Sequence, residues 1–159
     1  MRALVLLEPA LFTVDPEADA WAGELRRNVL AAAAEDPAVA AEAVIRLALG
    51  DEAWESLPSD LQTLFRAAAP AVLAETRGLG LDLSEQPLRL SVEELAGIEQ
   101  KALLVSSEDS PEVLRNVNDR LATALPNAEL VLVPGGHLIH PAHPAVVQFL
   151  DQLLGTARG

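Results

Sequence analysis

Leu130-Val131-Leu132-Val133-Pro134-Gly135-Gly136-His137 joins four consecutive apolar residues to a proline, two glycines and a histidine. An apolar run of that length without polar alternation reads as a strand buried on both faces, the kind found in parallel sheets. The glycines let the backbone turn sharply at the strand's C-terminal edge, which is where open α/β sheets place their ligands. His137 is therefore a candidate for chemistry. The alternative is a surface histidine that follows a glycine turn.

Two further runs have the same character, Ala3-Leu4-Val5-Leu6-Leu7 and Ala102-Leu103-Leu104-Val105, each bounded by turn residues. After the second, Ser110-Pro111 opens a helix with Leu114, Val117, Leu121 and Leu125 on one face, and Pro126-Asn127 ends it. After the third, His143-Pro144 opens another, with Val146, Val147, Leu150, Leu153 and Leu154 expected to face inward and Gly155 at its end. Strand, helix, strand, helix in this order is a crossover unit, so the expected class is α/β with about three parallel strands.

Between the first and second runs lies an alanine-rich stretch, residues 15–97, that reads as several helices. Asp15-Pro16 and Asp36-Pro37 each put a capping side chain before a proline at the first helical position, and Gly50 closes the second of these helices. Trp21, Leu25, Val29 and Ala32 form one apolar stripe, and Val39, Ala43 and Leu47 the next. A third helix follows Ser59, with Leu61, Leu64, Phe65 and Ala68 as its stripe until Pro70 kinks or ends it. Residues 78–90 read as a loop, after which Ser91-Val92-Glu93-Glu94 is a capping box. The expected division is residues 1–14 as a first core strand and lead-out, 15–97 as the helical region, and 98–159 as an α/β core that carries the histidine loop.

Composition narrows the function. The 159 residues carry a formal charge of −13, with 50% hydrophobic residues. That is one domain's worth of chain with enough apolar mass for a core. Residues 1–100 hold 18 acidic and 7 basic side chains, and residues 101–159 hold 6 and 4. Such a balance disfavours nucleic acid or an anionic membrane surface as partner, because both require Lys and Arg to replace counterions. With no cysteine, disulfides, thiolate nucleophiles and Cys-based metal sites are excluded. The apolar run Ala3–Leu7 is shorter than the roughly 7–15 residues of a signal peptide's core, and no stretch approaches the roughly 18 of a spanning helix. The expectation is a soluble, cytoplasmic protein.

His137, His140 and His143 recur every third residue, but Pro141 and Pro144 interrupt any continuous helix and no carboxylate or cysteine is interleaved. No metal site is expected there. Gly78-Leu79-Gly80 lacks the third glycine and the preceding strand of a dinucleotide fingerprint, so no cofactor is expected either.

Lys101–Leu154, extended back through Leu4-Val5-Leu6-Leu7-Glu8-Pro9, resembles the C-terminal portion of an α/β-hydrolase: sixth strand, inserted helical cap, then seventh and eighth strands. By that resemblance Val133-Pro134-Gly135-Gly136-His137 is the loop of the catalytic histidine, which takes a serine proton and returns it to the leaving group, work suited to an ordinary imidazole pKa of about 6.5. Its acid partner in the family commonly follows the seventh strand as Gly-x-x-Asp. Here Ser107-Glu108-Asp109-Ser110-Pro111 puts serine at the glycine and Ser110 at the aspartate. Asp109, one residue away, is the first choice of acid, and Glu8, after the first strand, the second. A structural alternative is that Glu108, Asp109 and Glu112 complement the positive end of the following helix. Trp21, Trp54 and Phe65, as cap residues, are expected to line the substrate pocket.

The family's Gly-x-Ser-x-Gly nucleophile elbow has no counterpart: none of the seven serines, at 56, 59, 84, 91, 106, 107 and 110, has a glycine two residues before it. The oxyanion-hole loop, which the family places after its third strand, is likewise missing. The resemblance implies a serine-type hydrolase of esters, amides or related bonds, with epoxide and haloalkane chemistry left open because those relatives differ chiefly at the nucleophile. It also implies that this chain alone is inactive, that a small acyl-type substrate requires the N-terminal half, and that the first strand, left without its neighbour, favours self-association. The alternative is a non-catalytic α/β domain that binds a partner protein or an apolar ligand.

Overall fold

The computed structural model describes residues 2–80 and 82–156. Two compact units divide it, Met1–Asp15 with Leu90–Gly159, and Pro16–Arg89.

The first unit is built on a parallel sheet of three strands, β1 (Ala3–Leu7), β2 (Lys101–Ser107) and β3 (Ala128–Val133), in the order β1-β2-β3. The register sets Ala3 opposite Lys101 through Leu7 opposite Val105, and Ala102 opposite Ala128 through Ser107 opposite Val133. The central strand β2 is buried from Ala102 to Ser107, whereas β1 is half-buried along its length. For β2 the continuous apolar run follows from cover on both faces, which leaves a strand no reason to alternate; β3 departs from that expectation, because Leu130 and Leu132 are exposed and Val133 alone of its run is buried. Among the described residues β1 pairs with no strand on its other edge.

Helix α7 (Glu112–Ala124) packs on β2 and β3 and buries Leu114, Val117 and Leu121, with Leu125 just beyond its end, the face read from its spacing. On α8 (Pro144–Thr156) the inward face differs from the expected one. Val146 and Phe149 are buried with Leu103, Val105 and Val133, and Leu153 packs against them, while Val147, Leu150 and Leu154 are exposed. The helix is rotated toward Phe149, whose ring brings more apolar area to the cluster than an aliphatic side chain. The short helix α6 (Val92–Ala96) starts at the Ser91–Glu94 capping box, with both reciprocal bonds made, and packs against α7. It therefore belongs to the sheet-bearing unit and not to the helical stretch before it.

The second unit is helical: α1 (Pro16–Glu35), α2 (Ala40–Leu49), α3 (Asp51–Glu55), α4 (Ser59–Ala67) and α5 (Ala69–Arg77). Leu25, Val29, Ala33, Ala40, Ala41, Ala69 and Leu73 form its core. The Asp36 carboxylate accepts from the Ala38 N–H at 2.9 Å, and Gly50 closes α2 at φ +91°. Pro70 opens α5 at its first turn, so the chain breaks between α4 and α5 as its ring requires. The apolar stripe expected on α4 is not buried: Leu61 and Leu64 are exposed and Phe65 is half-buried.

Charge in this unit is organised around Glu42. It accepts from Arg46 Nε at 2.8 Å and Arg66 Nε at 2.9 Å. Burial pushes its carboxyl up, but the hydrogen bonds and charges of the two guanidinium groups outweigh that and hold it below its ordinary value. Asp82 is shifted the opposite way, raised by burial and by the like charge of Glu75.

Candidate active site

The C-terminal ends of the three strands bring four segments together. Glu8 follows β1 and extends the ladder by one bond, its N–H donating to the Val105 carbonyl at 3.1 Å. Its φ of +43° is in the left-handed region, rare for a residue with a side chain. Such strain costs about 1–2 kcal/mol and is characteristically held in place at functional positions.

The Glu8 side chain is fully buried and its carboxylate is surrounded by donors. Oε1 accepts from the Ser107 backbone N–H at 2.7 Å and from the Ser106 hydroxyl at 3.3 Å. Oε2 accepts from the Ser110 hydroxyl at 2.7 Å and lies 2.8 Å from His137 Nδ1. An ionised carboxylate only accepts, so opposite an ionised Glu8 the neutral imidazole places its proton on Nδ1 and leaves the Nε2 lone pair free. The His137 side chain is 30% exposed against 0% for Glu8. The site thus has a buried charge on one side of the imidazole and solvent access on the other.

Local structure explains why Glu8, and not Asp109, holds this position. Ser107 to Ser110 is a turn closed by Ser110 N–H to Ser107 C=O at 3.3 Å, and its central residues Glu108 and Asp109 are exposed. The backbone of this turn serves the histidine loop: Glu108 N–H donates to Val133 C=O at 2.9 Å and Asp109 N–H to Gly135 C=O at 3.0 Å. Asp109 therefore anchors the loop through its amide while its side chain faces solvent. The pairing expected of Asp109 is made by Glu8, the second choice. In the loop itself Gly135 takes φ +101°, which L side chains rarely adopt; Gly136 has no such requirement.

No model of a known protein family matches the sequence, and no curated protein is similar enough to match. Solved structures do match. An alpha/beta hydrolase from Sphaerobacter thermophilus DSM 20745 superposes with a TM-score of 0.53 at 19% identity, over 97% of this chain and 58% of that one. MGS-M2, an alpha/beta hydrolase enzyme from a Medee basin deep-sea metagenome library, superposes with a TM-score of 0.58 at 18% identity, over 99% of this chain and 56% of that one. This chain has a partial α/β-hydrolase fold. It spans a little over half the length of each of these two structures.

On this partial α/β-hydrolase fold, the three aromatics expected at a substrate pocket all lie in the helical unit. Trp54 is 1% exposed, with the Phe65 ring 6.4 Å away and the Arg66 and Arg46 guanidinium groups 5.2 and 5.9 Å from its centroid. A ring sealed to that degree has no surface left for a ligand, so Trp54 is a packing residue. Trp21 is half-buried against the Leu25–Val29 cluster. A groove of about 690 Å³ in the same unit is lined by Pro37, Leu73 and Ala74, with Arg66 and Arg77 among its other walls, and by none of these aromatics.

His140 and His143 each turn Nδ1 back to accept a local backbone N–H, from Ala142 at 3.0 Å and Ala145 at 3.2 Å. Among the described residues no group of three or more His, Cys, Asp or Glu side chains is arranged to hold a metal ion, and no helix is long and apolar enough to cross a membrane. Sequence reasoning passed over Ser106, Ser107 and Ser110 as site residues. The signal was present, because Ser107 and Ser110 are the two positions at which the strand-end segment departs from Gly-x-x-Asp.

Proposed function

We propose that this chain is the base-bearing part of a serine-type α/β-hydrolase acting on an ester, amide or related bond, with His137 as general base and Glu8 as its acid partner. The observation that carries the reading is the 2.8 Å contact between a fully buried carboxylate and the Nδ1 of a partly exposed imidazole at the C-terminal edge of a parallel sheet. Glu8 fixes the tautomer and stabilises the imidazolium that forms when Nε2 takes a proton. The nucleophile comes from a Gly-x-Ser-x-Gly elbow outside this sequence, and the open edge of β1 is where the strand beside it pairs. The helical unit acts as the cap that shapes access to the substrate.

Without a nucleophile the histidine has nothing to activate. The chain alone is expected to show no more than trace turnover on a panel of p-nitrophenyl esters. Supplied with a polypeptide that carries the elbow, it is expected to hydrolyse at least one of them, and His137→Ala abolishes that activity. Hydrolysis that survives His137→Ala overturns the assignment. Turnover by the isolated chain that is lost in the same variant overturns its incompleteness.

The lack of an elbow favours a second reading, a non-catalytic domain that uses the same scaffold for binding. A complemented complex that assembles but turns over no substrate supports it.

A further inference from the structure

Glu8 has a long side chain whose terminal torsion is broad and weakly preferred. To present one oxygen squarely to His137, the carboxylate must be held on both sides. Oε1 has the Ser107 N–H and the Ser106 hydroxyl; among the described residues Oε2 has, besides His137 itself, only Ser110. Remove that hydroxyl, and the oxygen facing the imidazole loses its own donor and is held only indirectly, through the bonds to Oε1 at the other end of the carboxylate plane.

We propose that Ser110 is a positioning residue of the site, whose buried hydroxyl pins Glu8 Oε2 against His137 Nδ1. The proposal rests on the reading of His137 and Glu8 as a catalytic pair. Ser110 is 4% exposed, so water does not substitute freely for its hydroxyl. Its backbone is fixed from both sides, by the N–H bond to Ser107 at 3.3 Å and by Arg115 Nη1 donating to its carbonyl at 2.6 Å. Arg115 Nη1 also donates to the Glu108 carbonyl at 3.0 Å, tying the turn to α7.

Ser110 occupies the position at which the family resemblance expects an aspartate. An aspartate there would bring a second carboxylate against Glu8, and two carboxylates at that spacing do not both ionise. A hydroxyl at 110 and a glutamate at 8 are thus a matched pair: the acid follows the neighbouring strand, and a donor stands at the position where the resemblance expects a carboxylate.

The test reads the low-field proton resonance of His137 Nδ1–H by NMR, which needs no substrate and no nucleophile. In the wild-type chain the buried pair protects this proton from exchange. Ser110→Ala is expected to speed its exchange at least about tenfold or broaden it away, and Ser110→Thr, which keeps the hydroxyl, restores the signal. A Ser110→Ala chain with lowered Tm but an unchanged resonance assigns Ser110 a merely structural role and overturns the proposal. Should that variant not fold, Ser110→Cys, close in size and a weak donor, takes its place: faster exchange supports the proposal and unchanged exchange overturns it. Glu8→Gln separates the two levels. If it leaves the resonance intact, the catalytic pair itself is wrong; if it removes the resonance and Ser110→Ala does not, only the role of Ser110 fails.

Discussion

Replacing Glu8 by glutamine changes the charge at the centre of the site and almost nothing else in shape. Four groups converge on the carboxylate, and three of the contacts are 2.8 Å or shorter. A glutamine keeps its oxygen toward the Ser107 N–H and Ser106 and turns its amide toward Ser110 and His137. Both of those partners can adapt, Ser110 by rotating its hydroxyl to accept and His137 by moving its proton to Nε2. Every hydrogen bond survives, but none is charge-assisted. Each short bond loses about 1 kcal/mol in going from a charged to a neutral acceptor. Relief of the buried charge returns part of that, since desolvation of an ion opposes burial. The net expected cost is about 2–3 kcal/mol, or a Tm lower by roughly 10–20 °C for a unit of this size. Thermal and urea unfolding, followed by a probe in the sheet-bearing unit, measure the loss. Ring nitrogen shifts of His137 report the tautomer, which is expected to invert and leave Nε2 protonated, the wrong form for a base. A Glu8→Gln chain within about 0.5 kcal/mol of wild type and with an unchanged tautomer would refute the reasoning, because the carboxylate would then hold neither the fold nor the imidazole.

The histidine loop offers a sharper contrast between adjacent glycines. Nothing lies within 4 Å of a Cβ added at either position, yet only Gly135 has φ +101°, so Gly135→Ala is expected to cost about 1–2 kcal/mol of backbone strain and to weaken the His137–Glu8 contact, while Gly136→Ala leaves Tm within a degree or two; equal effects would contradict this. Asp82 and Glu42 make opposite pH predictions. Because the carboxyl of Asp82 is raised by burial and Glu75, the folded state holds its proton longer, and stability falls as pH climbs from the ordinary 3.8 through the raised value. Asp82→Asn therefore stabilises the helical unit at neutral pH, with a gain that vanishes toward that lower limit; a gain independent of pH contradicts it. Glu42, held below its ordinary 4.5, contributes stability that is present above that value and lost as pH falls through the lowered one.

Much of the scaffold is legible because its signals are short-range. Three uninterrupted apolar runs read as strands, and all three lie in one parallel sheet, but of these β2 alone is buried along its run, while β1 is half-buried and β3 leaves Leu130 and Leu132 exposed. The Ser91–Glu94 box, the Asp36 cap, the Gly50 stop and the break at Pro70 are chemistry within a turn of helix, and each appears where its residues stand. Faces were harder to read. Val147, Leu150 and Leu154 have the spacing of a core stripe, but they are exposed because Phe149, one turn-position round, claimed the contact with Val105 and Val133. Trp54 is a single aromatic whose role depends on neighbours from two other helices, α2 and α4, and nothing local distinguishes a pocket wall from a sealed core residue.

Residue order by itself determined the strand count, the crossover helices and a histidine loop after the third strand, since each follows from the period or turn chemistry of a few neighbouring residues. The choice of acid was left to the tertiary structure. Asp109 is nearer to His137 in sequence, but a turn points its side chain outward, whereas Glu8 reaches across 129 positions because β1 and β2 pair in parallel and end at the same edge. Proximity along the chain is a weak guide where a sheet aligns strand ends, and the carboxylate that meets the imidazole is the one whose burial the surrounding donors can satisfy.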